Sequence, residues 1–244
     1  MRIAVAGGTG TVGTHVVEVA RERGHDVIVL SRSAGVDLVS GAGLDAALEG
    51  VDVVVDVAST FTQSAETSVA FFGGVTRNLL AAEKRAGVPH HVVLSIVGID
   101  GSEYGYYVGK QEQERLVTAG DVPFTLLRAT QFHEFVTQGQ VRLGPLVLVP
   151  NMRTQPIAAR EVAERLVELA EGDARGRVTD LAGPREESLP AMARSLLRAT
   201  GRHSPVIALS LPGSGYRDMR SGALLPSGTA DLGRQTFAEW VAAR

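Results

Sequence analysis

The chain contains no cysteine. That excludes disulfides, thiolate metal sites and a cysteine nucleophile, and it suits a cytoplasmic protein. No uninterrupted apolar run approaches the roughly 20 residues of a membrane span. The first apolar run is short and leads straight into a glycine turn, so no signal peptide is expected. Neither charge sign dominates. The net charge of −3 offers no electrostatic footprint for nucleic acid or an anionic membrane, and neither is expected as a partner. Internal repeats and low-complexity segments are missing too. What is present is 44% hydrophobic and 21% charged residues over 244 positions, a globular composition long enough for one sizeable α/β domain.

The most informative stretch is Met1 to Arg32. Arg2 to Ala6 is a short apolar run. Gly7-Gly8-Thr9-Gly10-Thr11-Val12-Gly13 follows, then a helical pattern from Thr14 to Arg23 in which Val12, Val16 and Val19 share a face. Gly24 closes that helix and Val27 to Leu30 form a second strand. A glycine turn between strand and helix allows close backbone approach to a pyrophosphate, and the helix N-terminus supplies free N–H groups. The pattern and its context predict dinucleotide binding through Gly7, Thr9, Gly10, Thr11, Val12 and Gly13. The second strand ends in Ser31-Arg32-Ser33 with no acid to take a ribose 2′-OH. A guanidinium at Arg32 pairs bidentately with a 2′-phosphate, so NADP(H) is preferred over NAD(H).

Farther along, Val36 to Leu38 reads as a short third strand, with Asp37 facing the adenine or capping the next loop; the sequence leaves both open. Leu44 to Leu48 is a short helix. Asp52 to Val57 is a buried parallel strand, with Ala58-Ser59-Thr60 at its carboxyl end, where ligands bind in open α/β sheets. Ser68 to Ala86 is a long helix whose Phe71 and Phe72 serve the core or a dimer; a homodimer through it is an expectation that sedimentation tests. His91 to Val97 is a strand, a loop from Ile99 to Gly105 leads into a helix running to about Ala119, and Phe124 to Leu127 is a strand. This alternation demands a doubly wound parallel sheet. Beyond it, Leu146 to Val149 and Arg177 to Leu181 read as strands, and Ala159 to Ala170 as an amphipathic helix. Ser188 caps a helix to Thr200, Ser204 to Gly228 is a loop or lid, and Asp231 to Ala243 is a terminal helix. The whole is read as a single Rossmann-type α/β domain over 1–244, with 130–244 supplying a small C-terminal substrate-binding elaboration.

Candidate chemistry centres on Ser95, Tyr106 and Lys110. Tyr106 and Lys110 lie at i and i+4, on one helix face. A free tyrosine has a pKa of about 10; a neighbouring ammonium together with an oxidised nicotinamide favours the phenolate and brings that value down. Ser95, near a strand's carboxyl end, would hold a substrate oxygen as charge develops, and Lys110 would also hold the nicotinamide ribose. Phe132, His133, Phe135, Met152, Gln155 and Pro156 follow the next strand, where a substrate pocket is expected; Phe and Met serve equally well as core, and His133 serves as a second acid or a packed residue. The remaining histidines show no ligand spacing with carboxylates, so no metal site is expected.

The motifs Ala6-Gly7-Gly8-Thr9-Gly10-Thr11-Val12-Gly13, Leu30-Ser31-Arg32, Leu94 to Gly98, Tyr106-Tyr107-Val108-Gly109-Lys110 and Leu127 to Phe132 resemble the short-chain dehydrogenase/reductase superfamily, in its atypical NmrA-like NAD(P)H-binding branch. The resemblance covers about the first two-thirds of the chain, judged by motif order. It implies that Ala58 and Ser59 lie beside the adenosine half of the cofactor, and Ala129 to Phe132, with Thr130, beside nicotinamide and substrate. The serine-to-tyrosine gap is shorter than in ordinary short-chain reductases. Three functions are in view: an NADPH-dependent oxidoreductase on a small carbonyl or quinone-like compound, a non-catalytic NADP(H)-binding redox sensor that regulates a protein partner, and a nucleotide-sugar epimerase or dehydratase, which the short C-terminal part disfavours.

Overall fold

A computed structural model describes residues 1–244. The chain forms two compact units interleaved along the sequence: the first takes 1–95, 105–128 and 160–178, the second 96–104, 129–159 and 179–244.

In the first unit, strands β1 (Arg2–Ala6), β2 (Asp26–Leu30), β3 (Val53–Asp56), β4 (His91–Ile96) and β5 (Phe124–Ala129) alternate with helices α1 (Thr11–Glu22), α2 (Leu44–Ala47), α3 (Ala65–Ala86) and α4 (Gly105–Ala119). The sheet order is β2-β1-β3-β4-β5. The pairings of β1 with β2 and β3, and of β3 with β4, are parallel. This is a Rossmann-type, doubly wound sheet flanked by helices, and the strand order reverses between β1 and β3. Ligands bind outside the carboxyl ends of such strands at that switch point.

The strands read as nearly continuous apolar runs because both faces are covered. Ala4, Ala6 and Val54 share one cluster with Leu44 of α2, Leu48 at the C-cap of that helix, and Val75, Leu79 and Ala82 of α3. Alternate residues Ile3, Val5, Val53 and Val55 are buried as well. On β4, α4 and β5, Val93, Val117 and Leu126 form a second cluster. Phe72 is fully buried and Phe71 packs on the first cluster, so both rings serve the core of this subunit. The helix Ala159–Ala170 buries the predicted stripe Val162, Ala163, Leu166, Val167 and Ala170. Arg160 pairs with Glu22 at 2.7 Å, tying that helix to the end of α1.

One expected strand is not there. Val36 to Leu38 form no strand: Gly35 turns the chain at φ +79°, Val36 N–H returns to the Ser31 carbonyl, and Asp37 Oδ1 accepts Val39 N–H at 2.9 Å. Asp37 therefore caps the following loop, an Asx turn that competes with strand pairing.

In the second unit, Leu146–Pro150 pairs in parallel with Val206–Leu209 and antiparallel with Val141–Leu143. Ser204 to Gly228 is thus not a plain loop: it holds that strand and a helix at Ser214–Ser221. Tertiary pairing supplies the order that its Pro, Gly and Ser content concealed. The expected strand Arg177–Leu181 is broken into Gly176–Arg177 and Asp180–Ala182. The terminal helix is shorter than expected, Phe237–Ala242, because Thr236 and Glu239 form a capping box that fixes its start. Ala230–Leu232 before it is a strand. Ser188 stands at the N-cap of Leu189–Ala199, as expected, without a side-chain bond. No helix is long and apolar enough to cross a membrane.

Candidate active site and cofactor cradle

The glycine turn is built around close approaches. Gly7 has φ +80°, and a Cβ there would lie 2.7 Å from Ala58 Cα. A Cβ on Gly13 would lie 2.0 Å from the Gly7 carbonyl oxygen. Neither position accepts a side chain without backbone movement. The turn closes through Gly10 N–H on the Gly7 carbonyl at 2.9 Å. Gly10 is the N-cap of α1, with no side-chain cap bond and no acid in the first turn. The leading N–H groups of α1 have no competing anion of their own, which fits the end of a helix that accepts a pyrophosphate. Thr9, Gly10 and Thr11 are exposed, while Val12 and Gly13 pack inward. Ala58 lies directly against Gly7, so the turn and the end of β3 make one surface.

At the end of β2, Arg32 is exposed and opens a single 3₁₀ turn, Arg32–Ala34. Ser31 and Ser33 hydroxyls bond each other at 3.0 Å beside it.

On α4, Tyr106 and Lys110 share a face, and Gln113 continues it one turn on. Gly105 and Gly109 let α4 approach α3: a Cβ on Gly109 would lie 2.1 Å from Ser68 Oγ. Ser68 Oγ in turn donates to the Tyr106 carbonyl at 3.1 Å. The Tyr106 ring meets the Phe72 ring edge-on at 5.5 Å. Its hydroxyl bonds the hydroxyl of Ser59 at 2.9 Å. Burial pushes the Tyr106 hydroxyl above its ordinary pKa, and the Ser59 bond offsets only part of that. Desolvation is the larger of the two causes; the lowering expected from the sequence is for a ring that also faces an oxidised nicotinamide.

Lys110 is 5% exposed. Its Nζ donates to the Leu94 carbonyl at 2.7 Å and to Gln113 Oε1, and it lies 4.9 Å from the Phe72 ring centroid. Burial pulls its pKa from 10.5 down to about 8, against the opposing pull of Asp56 and Glu114. Gln113 Nε2 donates to Asp56 Oδ2 at 2.8 Å, and Asp56 Oδ1 accepts Ala58 N–H at 2.9 Å. Ser95 is 2% exposed and its Oγ has no hydrogen-bond partner. A buried hydroxyl left unpaired costs about 1–3 kcal/mol, and a bound ligand or a water can supply the missing partner. The glycine cradle and the unpaired Ser95 Oγ both fit a dinucleotide with a reactive oxygen beside it.

The remaining residues singled out in the sequence lie in the second unit. Thr130 Oγ1 donates to the Gln155 carbonyl at 2.6 Å, and Gln155 Nε2 to the Gly183 carbonyl at 2.7 Å. Met152 is 1% exposed and Phe132 is half-buried. His133 is fully buried, 3.2 Å from the Gln235 carbonyl, with its ring against Phe237 and Trp240. That environment fits the packed alternative rather than a second acid.

Sequence reasoning missed Asp56 and Gln113. The signals were present: an acid ending the run Val53-Val54-Val55, and a glutamine three residues beyond Lys110 on the face of Tyr106. It also missed Glu114, whose carboxylate pairs with the buried Arg128 of β5 at 2.6 Å.

Comparison with known proteins agrees with the fold. Photosystem II assembly factor Ycf39 of Synechocystis is 28% identical over 69% of this chain, a match spanning 59% of that protein's own length. Quinone oxidoreductase 2 of Escherichia coli is 24% identical over 94% of this chain and 85% of its own. The Escherichia coli NADPH-dependent quinone oxidoreductase solved with NADPH superposes with a TM-score of 0.73 at 20% identity, covering 99% of each chain. UDP-glucose 4-epimerase of Bifidobacterium longum, solved with NAD+ and UDP, gives 0.73 at 17% identity over 99% of this chain and 96% of its own. Residues 7–173, which hold the glycine turn, Tyr106 and Lys110, match the NAD(P)H-binding family, and the chain belongs to that family.

Proposed function

We propose that this protein is an NADPH-dependent oxidoreductase that reduces a small carbonyl or quinone-like compound. The observation that carries the reading is the pairing of Tyr106 and Lys110 on one face of α4 in a unit whose β1–α1 turn is a glycine cradle. Quinone oxidoreductase 2 of Escherichia coli, similar along nearly the whole chain, supports the substrate class. Bound NADPH supplies the hydride. The leading backbone N–H groups of α1 meet its pyrophosphate, Gly7, Gly10 and Gly13 allowing the close approach, and Arg32 with Ser31 meets the 2′-phosphate. Ser95 Oγ holds the substrate oxygen, and Tyr106 gives that oxygen its proton. Lys110 holds the nicotinamide ribose and favours the phenolate left on Tyr106. Thr130, Phe132 and Gln155 are the candidates for the substrate side, while His133 and Met152 are buried.

The test is NADPH oxidation with a panel of quinones and carbonyls, together with fluorescence titrations of NADPH and NADH. Tyr106→Phe is expected to cut turnover by about 10²-fold or more, the usual share of a general acid, with cofactor affinity nearly unchanged. Arg32→Ala is expected to weaken NADPH selectively. NADPH binding without reduction of any electrophile would transfer the site to the redox-sensor reading.

A further inference from the structure

We propose that Asp56 and Gln113 are positioning residues of this site, a buried carboxylate and amide that fix where the Lys110 ammonium sits. The geometry stands on the cofactor-free chain; only its use in proton transfer rests on the reductase reading. Asp56 is 0% exposed and Gln113 1%. A buried carboxylate and a buried ammonium are each costly alone, and here neither touches the other. Gln113 stands between them. Its carbonyl oxygen takes the Lys110 ammonium and its NH₂ gives to Asp56. Only this orientation of the amide works: the reverse would set N–H groups against the ammonium and an oxygen against the carboxylate. The amide thus carries the attraction of Asp56 to Lys110 without consuming the charge in a direct ion pair.

The arrangement governs what Lys110 has left to give. An ammonium has three N–H donors. Leu94 O and Gln113 Oε1 take two, and the third remains for a ribose hydroxyl. Asp56 does a second job at the same time, since its other oxygen holds Ala58 N–H, and Ala58 lies against Gly7. One carboxylate therefore sets both the lysine and the floor of the glycine turn. The charged groups around Lys110 are few. Asp56 comes from β3 and Glu114 from α4, the latter paired with Arg128 of β5; the buried His91 and Glu83 of β4 and α3 bond each other at 2.8 Å, and the Phe72 ring of α3 lies 4.9 Å from the ammonium.

Lys110 and the exposed Lys84 are the only lysines in the chain, which makes the test direct. Protein labelled with ¹³C-lysine, without cofactor, shows two Cε signals, and Lys84 serves as the internal control. The wild-type Lys110 signal is expected to titrate near the value of about 8 given above. Asp56→Asn removes the charge and Gln113→Met removes the acceptor; each is expected to lower the Lys110 midpoint by about one pH unit. NADPH affinity is expected to fall about fivefold or more in both, by loss of one oriented hydrogen bond to a charged group. A merely structural role would lower the melting temperature and leave the midpoint in place. Folded variants that keep the midpoint within about 0.3 unit of wild type overturn the proposal. Should Asp56→Asn not fold, Gln113→Met, which leaves the carboxylate bonded to Ala58, decides alone. A wild type that reduces no quinone or carbonyl removes the reductase reading but leaves this titration readable.

Discussion

Lys110 makes the stability of the cofactor-free protein depend on pH in an unusual direction. Its pKa falls from 10.5 in the unfolded chain to about 8 in the folded one. Between these values the unfolded chain binds the extra proton, so stability rises with pH; it is greatest above the unfolded value and is lost as pH falls through the folded one. The gap corresponds to about 3 kcal/mol at 1.36 kcal/mol per unit. Integrating the two titration curves, about 2 kcal/mol of it is regained between about pH 7.5 and about pH 9.5. Lys110→Met removes the titration. It also leaves Gln113 Oε1 without its donor, at a cost of about 1–3 kcal/mol that does not vary over this range. Urea unfolding of both proteins across the range isolates Lys110, because every other titrating group cancels in the difference. The wild type is expected to gain about 2 kcal/mol on the variant as pH rises. A difference that stays flat, or that moves the other way, would refute the buried ammonium and with it the reason given for the lowered pKa.

Other outcomes follow from the same coordinates. Gly13→Ala drives a Cβ into the Gly7 carbonyl and is expected to weaken NADPH binding by at least about 10-fold, with a loss of about 1–3 kcal/mol in stability, read by titration and by thermal melting. Leu79→Ala, at a fully buried position between α3 and the sheet, is expected to cost about 2–5 kcal/mol by denaturant unfolding while leaving the cofactor contacts in place. The buried Glu83–His91 pair gives a second pH signature: burial draws His91 down, but Glu83 and Asp56 outweigh it and hold its pKa above the ordinary value. Its contribution is complete below about pH 6.5, the unfolded value, and is lost as pH rises through the raised folded value; Glu83→Gln is expected to abolish that limb in unfolding curves.

Local sequence was enough for much of this protein. The glycine turn, the first two strands and α1, the long α3, and the face shared by Tyr106 and Lys110 each rest on interactions between residues close in the chain. Periodicity, a positive-φ glycine and a capping serine leave marks within a few positions of the atoms they control. The doubly wound parallel sheet followed almost as directly, because alternating strands and helices admit few right-handed arrangements, while the order of its strands came from the tertiary structure. What stayed hidden depends on partners distant in sequence. Val36 to Leu38 has the composition of a strand, but the Asx turn at Asp37 takes its backbone. Val206–Leu209 has the composition of a loop, but Leu146–Pro150 offers it a ladder.

The site divides along the same line. The sequence alone put Tyr106 and Lys110 on one helix face and the glycine turn between a strand and a helix, since those depend on residue type and short spacing. Only the tertiary structure decided their partners: Tyr106 with Ser59, Ser95 with none, and Lys110 tied through Gln113 to Asp56, which stands 57 positions from Gln113 along the chain. Burial and hydrogen bonding set protonation, and both are properties of the packed chain rather than of any stretch of it.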